Sequence, residues 1–235
     1  MSFMMRWVGQ GGYELRLGGK TVLLDPYYSD LVEHSGEALK RLVPPPMQLE
    51  NVRADYLLST HDHMDHMDED LIAAMDCTGI RFVCPALSAK KLLALGKGII
   101  PEQIDVIAPD GVFQCDAFKL EAVFADHTAD SVGFVIESDG LRVYFTGDTL
   151  LHERVGKDVR ADVICCCVNG KLGNMNAEEA ITVVKRSGAR LAIPNHYGMF
   201  AENTVDPQTF VRLAQKEGIF THVAQLYAWF DLATI

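Results

Sequence analysis

Short alternating or apolar runs broken by glycine-rich turns open the chain. Trp7-Val8 leads into Gln10-Gly11-Gly12, Tyr13 to Leu17 alternates, Gly18-Gly19 turns, and Thr21 to Leu24 runs apolar into Asp25-Pro26. These read as short strands joined by tight turns. Pro44-Pro45-Pro46 marks a rigid surface loop before the apolar run Tyr56-Leu57-Leu58. Asp68 is placed to cap a helix over Glu69 to Met75. A strand at Arg81 to Cys84 and a helix over Ala86 to Leu95, stopped by Gly96, come next. The middle of the chain is strand-rich, with runs at Gln103 to Ile107, Val112 to Cys115, Lys119 to Phe124, Val132 to Glu137 and Leu141 to Phe145. Ser138-Asp139-Gly140 reads as the turn of a hairpin. In the last third, a strand over Asp162 to Val168 precedes a helix capped by Asn176 with Glu179 three residues on and closed by Gly188. A strand follows at Arg190 to Ile193, and Asp206-Pro207 opens a helix that Gly218 ends. Two final strands are expected between Thr221 and Asp231. Two strand-rich regions, each flanked by helices, predict an α/β fold: an αββα sandwich of two sheets face to face, one domain over residues 1–235.

Composition narrows the function classes. Forty-nine per cent hydrophobic and 23% charged residues are ordinary for a globular protein. A net charge of −11 argues against nucleic acid or an anionic membrane surface as partner, and leaves room for a small anionic substrate if cations sit in the site. The six cysteines form no Cys-x-x-Cys pair, and Cys165-Cys166-Cys167 lie in an apolar run where neighbours point to opposite faces. Buried reduced thiols, and so a cytoplasmic location, are the expectation. The N-terminal residues lack an apolar segment of signal-peptide length. The reading is compatible with a homo-oligomer.

The chemistry concentrates in Ser59-Thr60-His61-Asp62-His63-Met64-Asp65-His66. His61, His63, Asp65 and His66 put four ligand-capable side chains in six positions, on the turn that leaves a strand. Imidazole and carboxylate together suit Zn²⁺, Mn²⁺ or Fe²⁺. His61 and His63 can point the same way from extended backbone and share one ion. Asp65 and His66, where the chain curls towards a helix, can address a second. Other strand ends offer further ligands: His127 after Leu120 to Phe124, Asp148 after Tyr144-Phe145 and before an expected helix, and His196 after Ile193. His34, His152 and His222 have no motif around them and read as surface or structural residues.

The ordered set His61, His63, Asp65, His66, His127, Asp148, His196 resembles the metallo-β-lactamase superfamily along essentially the whole chain. Trp7 to Tyr13, Leu24 to Asp30, Asn169-Gly170, Asn174 to Ala180 and Pro194 to Phe200 look like the group around L-ascorbate-6-phosphate lactonase. The resemblance implies that His61, His63 and His127 hold one divalent ion, that Asp65, His66 and His196 hold the other, and that Asp148 bridges them. It makes Asp25 a buried carboxylate orienting the histidine loop. Two such ions lower the pKa of a shared water, and Asp65 would pass the nucleophile's proton to the leaving group. Asn169, Lys171 and Tyr197 are candidates for holding substrate, with Lys171 as an anion contact.

By this resemblance the expected activity is hydrolysis of a small phosphorylated sugar lactone or ester. The alternative is a phosphodiesterase acting on a phospholipid or cyclic nucleotide with the same ligands. A redox di-iron protein of this fold would carry Glu where this chain has His63. A nuclease is disfavoured by the charge, and an interaction module that had lost catalysis would lack ligands.

Overall fold

The computed structural model describes residues 2–36 and 39–235. Turn residues cut the first run into β1 (Met4–Gly9), β2 (Gly12–Leu17) and β3 (Lys20–Leu24), an antiparallel meander. The chain then adds β4 (Tyr56–Leu58), α1 (Glu69–Ala74), β5 (Arg81–Cys84), α2 (Ala86–Ala94) and β6 (Ile104–Val106). β3 pairs parallel with β4, and crossovers through α1 and α2 let β4 pair parallel with β5 and β5 with β6. β7 (Val112–Gln114), β8 (Lys119–Phe124), β9 (Val132–Ser138) and β10 (Leu141–Phe145) form a second antiparallel meander. Parallel strands β11 (Val163–Cys167), β12 (Leu191–Asn195) and β13 (Phe220–Thr221) extend it, with α3 (Ala177–Ser187) and α4 (Gln208–Lys216) as crossovers. The last strand, β14 (Trp229–Asp231), leaves this sheet and pairs antiparallel with β1. The sheets are ordered β14-β1-β2-β3-β4-β5-β6 and β13-β12-β11-β10-β9-β8-β7. Each runs through three antiparallel pairs and then three parallel ones.

The main core lies between the sheets, where Tyr13, Leu15 and Leu24 of the first meet Phe134, Val143 and Phe145 of the second. The Tyr13 and Phe145 rings stand edge to face at 5.3 Å. On the outer side of the first sheet, Leu71 and Ile72 of α1 and Ala89 and Leu92 of α2 cover Leu23, Leu57 and Phe82. Val183 and Val184 of α3 and Phe210 of α4 belong to the main core cluster, with Ile164, Cys166 and Ala192. This is the αββα sandwich the pattern predicts. All six cysteines are free thiols, and Cys165, Cys166 and Cys167 pack as small buried hydrophobes. Among the described residues, no helix is long and apolar enough to cross a membrane.

Two local expectations change. No helix follows Asp148: irregular chain with turns at residues 153–158 leads into β11. Nor is Asp206 the N-cap: the helix starts after Pro207, which takes that position without a side-chain bond, and Asp206 accepts from the Gln208 backbone N–H at 2.9 Å one residue further out. The final strand pairs with β1 and covers an edge of the first sheet that would otherwise be unpaired.

Candidate metal centre

Every residue of the cluster sits one to three positions past the last residue of a strand, or on the loop that leaves it. Gln10 follows β1, Asp25 follows β3, the His61–His66 loop follows β4, His127 follows β8, Asp148 follows β10 and His196 follows β12. These ends gather on one rim of the sandwich, where loops leaving a rigid sheet can carry functional side chains.

The site groups fall into three overlapping sets whose ligand-capable atoms lie within 4.8 Å of one another: His61, His63 and His127; His61, His66 and Asp148; Asp65, His66 and His196. His127 Nε2 lies 3.1 Å from His63 Nδ1, and the His61 ring is 4.9 Å from that of His127. Asp148 stands between the two halves. Its Oδ1 is 3.2 Å from His66 Nε2 and 3.1 Å from His196 Nε2, while its Oδ2 is 3.8 Å from His127 Nε2 and accepts from Asn174 Nδ2 at 2.9 Å. Five of the eight histidines thus converge. His34 is exposed, and His152 and His222 pack with tilted rings against Phe124 and Phe230; neither belongs to the ligand sets.

A supporting shell fixes these side chains. Asp25 Oδ2 accepts from Thr60 Oγ1 at 2.6 Å and lies 2.8 Å from His66 Nδ1, while its Oδ1 accepts from the Thr60 backbone N–H at 2.7 Å. Thr60 Oγ1 is also 3.1 Å from His61 Nδ1, so one Asp–Thr pair touches two histidines. Gln10 Nε2 donates to Asp65 Oδ2 at 3.0 Å. His127 Nδ1 donates to the Gly173 carbonyl at 3.0 Å. Asp68 does more than cap α1 by accepting from Leu71 N: it also accepts from the backbone N–H of Tyr28 and Ser29, tying the loop after β3 to the helix behind the site. Gln10, Asp25 and His196 all adopt left-handed backbone, with φ of 46°, 43° and 65°. Such conformations cost on the order of 1–3 kcal/mol each and survive where the surroundings hold them.

Burial sets the electrostatics. His61 is pushed well below the usual histidine value, first by desolvation and then by repulsion from His66, so it is neutral. His63 is lowered for the same first reason. Desolvation would also push His66 down, but Asp148, Asp25 and Asp65 overcome it and hold its pKa well above the ordinary value. Burial works against the Asp148 charge, yet His196 and His66 keep its carboxyl well below the usual range.

The donor set passes a direct test for a cation. His61 Nε2, His66 Nε2 and Asp148 Oδ1 are buried and lack an aligned hydrogen-bond partner, and their three residues make up one of the ligand sets. Unpaired buried polar atoms are costly, and three pointing together are explained by an ion that they would share.

The substrate candidates are placed differently. Lys171 Nζ donates to the Glu202 carbonyl at 2.9 Å, and Asn169 Nδ2 to Asn203 Oδ1 at 2.6 Å. Both therefore fasten one loop to another. Tyr197 is buried against Trp7, ring centroids 4.9 Å apart, and its hydroxyl has no partner. A cavity of about 380 Å³ opens beside the cluster and is lined by His63, Asp65 and Leu172, but not by Lys171 or Tyr197. Sequence reasoning gave no part to Gln10, Thr60 or Asn174. Gln10 and Asn174 lie inside motifs quoted for the resemblance, and Thr60 directly precedes His61.

Comparison with known proteins gives the family and the fold. The UPF0173 metal-dependent hydrolase of Sulfurisphaera tokodaii is 26% identical over 227 residues, covering 94% of this chain and 96% of the relative. Igni18, a metallo hydrolase of the hyperthermophilic archaeon Ignicoccus hospitalis, has the same fold, with a TM-score of 0.80 at 20% identity over 99% of each chain. The isothiocyanate hydrolase from Delia radicum gut bacteria matches with a TM-score of 0.77 at 16% identity, over 97% of this chain and 98% of that one. A family model described as the beta-lactamase superfamily domain matches residues 20–197, a span that holds His61 to His66, His127, Asp148 and His196, and the chain belongs to that family.

Proposed function

We propose that this protein is a dinuclear metal-dependent hydrolase of a small carboxylic ester, with the lactone ring as the favoured form. The observation that carries the reading is the convergence of His61 Nε2, His66 Nε2 and Asp148 Oδ1, buried and unpartnered, between two further histidine sets. His61, His63 and His127 would hold one ion, Asp65, His66 and His196 the other, and Asp148 both. Zinc or manganese suits these nitrogen and oxygen donors best, with iron as a third option. When bound, such ions supply an acidified water and Lewis-acid stabilisation of developing charge.

The chain's own residues supply orientation and proton handling. Asp25 and Gly173 fix the rings of His66 and His127 through their Nδ1 atoms, so that the Nε2 atoms face the centre. Asp65 is the most exposed carboxylate of the cluster and borders the cavity, while Gln10 holds its Oδ2. Its other oxygen can accept a proton from the attacking water and return it to the leaving oxygen. His63 and Asp65 form the open side of the cluster, so substrate reaches it through the cavity.

A lactonase of the L-ascorbate-6-phosphate kind would need a cation for its unreacting phosphate. Lys171, the candidate for that part, is engaged with Glu202 and lies outside the cavity lining. Free thiols throughout suit a reducing, cytoplasmic setting.

The test is metal analysis of purified protein followed by a panel of lactones, aryl esters and bis(p-nitrophenyl) phosphate with zinc or manganese restored. Lactone or ester turnover that EDTA abolishes is the expected result. Cleavage of the phosphodiester alone would replace this reading with a phosphodiesterase, and a protein that binds no metal would end both.

A further inference from the structure

The cavity beside the cluster has walls unlike those a phosphorylated substrate needs. Val32, Leu39, Met64, Leu172 and Phe200 line it with apolar surface. Among its described lining residues, Lys91 is the one lysine or arginine, and it is already engaged. Its Nζ donates to the Asp62 carbonyl at 2.6 Å, and lies 3.2 Å from Asp62 Oδ2 and 3.9 Å from Glu69 Oε1. With Asp62 and Glu69 both on the wall, the fixed charge there is negative even before Asp65 is included.

Leu172 is the most informative of these residues. It is 67% exposed and has a φ of +51°, a conformation that leucine adopts at a cost. The surrounding loop is held at both ends. Lys171 Nζ is bound to Glu202 and Asn169 to Asn203, while the next residue, Gly173, accepts from His127. A strained, well-fastened loop thus displays an apolar side chain to solvent at the mouth of the cavity, one residue from the group that orients a cluster histidine.

We propose that this cavity receives an uncharged apolar substituent of the substrate, and that Leu172 is the specificity-determining residue for it. The substrate class is an ester or lactone bearing a short alkyl or aryl group, not a sugar phosphate. This rests on the hydrolase reading for the reaction at the substrate's carbonyl, but the recognition stands on the cavity alone. A volume of about 380 Å³ is at the small end for ligand pockets. Burying the apolar group removes Leu172 from water, and a dianion in the same place would face Asp62 and Glu69 instead.

Binding can be read without turnover. In full-length, EDTA-treated protein, ¹³C-methyl signals of Met64 and Leu172 are titrated with hexanamide and, separately, with glucose 6-phosphate. Saturable shifts with hexanamide and a response about ten-fold weaker or absent with glucose 6-phosphate are expected. An equal or stronger response to glucose 6-phosphate, or none to hexanamide, overturns the proposal. Leu172→Lys should weaken the Met64 response to hexanamide, and an unchanged response removes Leu172 from the role. With zinc-loaded enzyme, kcat/KM across γ-lactones of growing alkyl length should rise roughly three- to four-fold per methylene, the value for one buried CH₂. Turnover that is flat across the series overturns the proposal and leaves the hydrolase reading standing. Hexanamide binding without turnover of any lactone does the reverse.

Discussion

His66 Nδ1 lies 2.8 Å from Asp25 Oδ2, a contact between residues 41 apart that joins the end of β3 to the histidine loop after β4. A carboxylate only accepts, so Nδ1 carries the proton and Nε2 is turned to the cluster centre. Asp25→Asn breaks this logic with almost no change in shape. If the amide nitrogen faces His66, Nδ1 must accept and Nε2 takes the proton that a metal would have to displace. If it faces the other way, it meets the Thr60 backbone N–H, donor against donor. The variant should fold, yet bind metal at the Asp65–His66–His196 set about 10–100-fold more weakly. Zinc titration against a competing chelator measures this, and unchanged affinity would remove Asp25 from the orienting role.

The same histidine predicts a pH dependence. In the metal-free protein, burial pulls His66 down but Asp148, Asp25 and Asp65 hold its pKa well above the ordinary value. A raised folded-state value means that its contribution to stability is present in full below the unfolded value near ~6.5, and is lost as pH rises through the folded value. EDTA-treated protein should therefore melt at lower temperature as pH climbs above about 6.5. Zinc competes with that proton, so zinc affinity should rise over the same range. A melting temperature flat with pH, or zinc affinity that falls as pH rises, would contradict the charged state assigned to His66.

Much of the fold was legible because turn chemistry and period agree. Asp68, Asn176 with Glu179, and Gly188 act as the caps that their spacing announces. Strands β5, β8 and β10 keep the expected bounds, since each run meets proline, aspartate or glycine (Pro85, Asp126, Gly147) within two residues of its end. The candidate ligands were legible as residue types just past strands. Long-range pairings were not: nothing local says that β14 returns to β1, or that Asp68 reaches Tyr28 and Ser29. The helix expected after Asp148 is absent: β10 crosses to its parallel neighbour β11 through irregular chain with turns at residues 153–158. Lys171 stands out in the sequence by its charge and by lying on a loop that leaves a strand on the site side. Its backbone-carbonyl partner on Glu202 depends on how two loops meet, and Leu172, which looks like filler in sequence, is the residue turned to the cavity.

Gly173 offers a way to disturb one ligand set and spare the other. It has a φ of +84°, and a Cβ there would stand 2.9 Å from His127 Nδ1. Gly173→Ala should displace the His127 ring and weaken the His61–His63–His127 set about ten-fold or more. The Asp65–His66–His196 set should keep its affinity. Gly11→Ala is the mirror experiment, because its Cβ would meet His66 Cε1 at 2.8 Å. Metal titrations of the two variants should show different sites weakened. The same step lost in both would argue against two separable sets.

Asp148 is the group shared by both halves, with Oδ1 towards His66 and His196 and Oδ2 towards His127. Two divalent ions held ~3.5–4 Å apart repel strongly, and a carboxylate between them offsets that repulsion. Asp148→Ala should therefore bind one ion where the parent binds two, and lose nearly all hydrolysis. The variant also has a readout that needs no metal. After desolvation, which opposes it, Asp148 is the largest influence on His66 and the one that most raises its pKa. NMR titration of the metal-free variant should thus find His66 losing its proton at lower pH than in the parent. If the variant keeps two ions and full turnover, Asp148 is not the bridge. If the ions are lost but His66 titrates unchanged, the carboxylate acts through the fold and not through its charge.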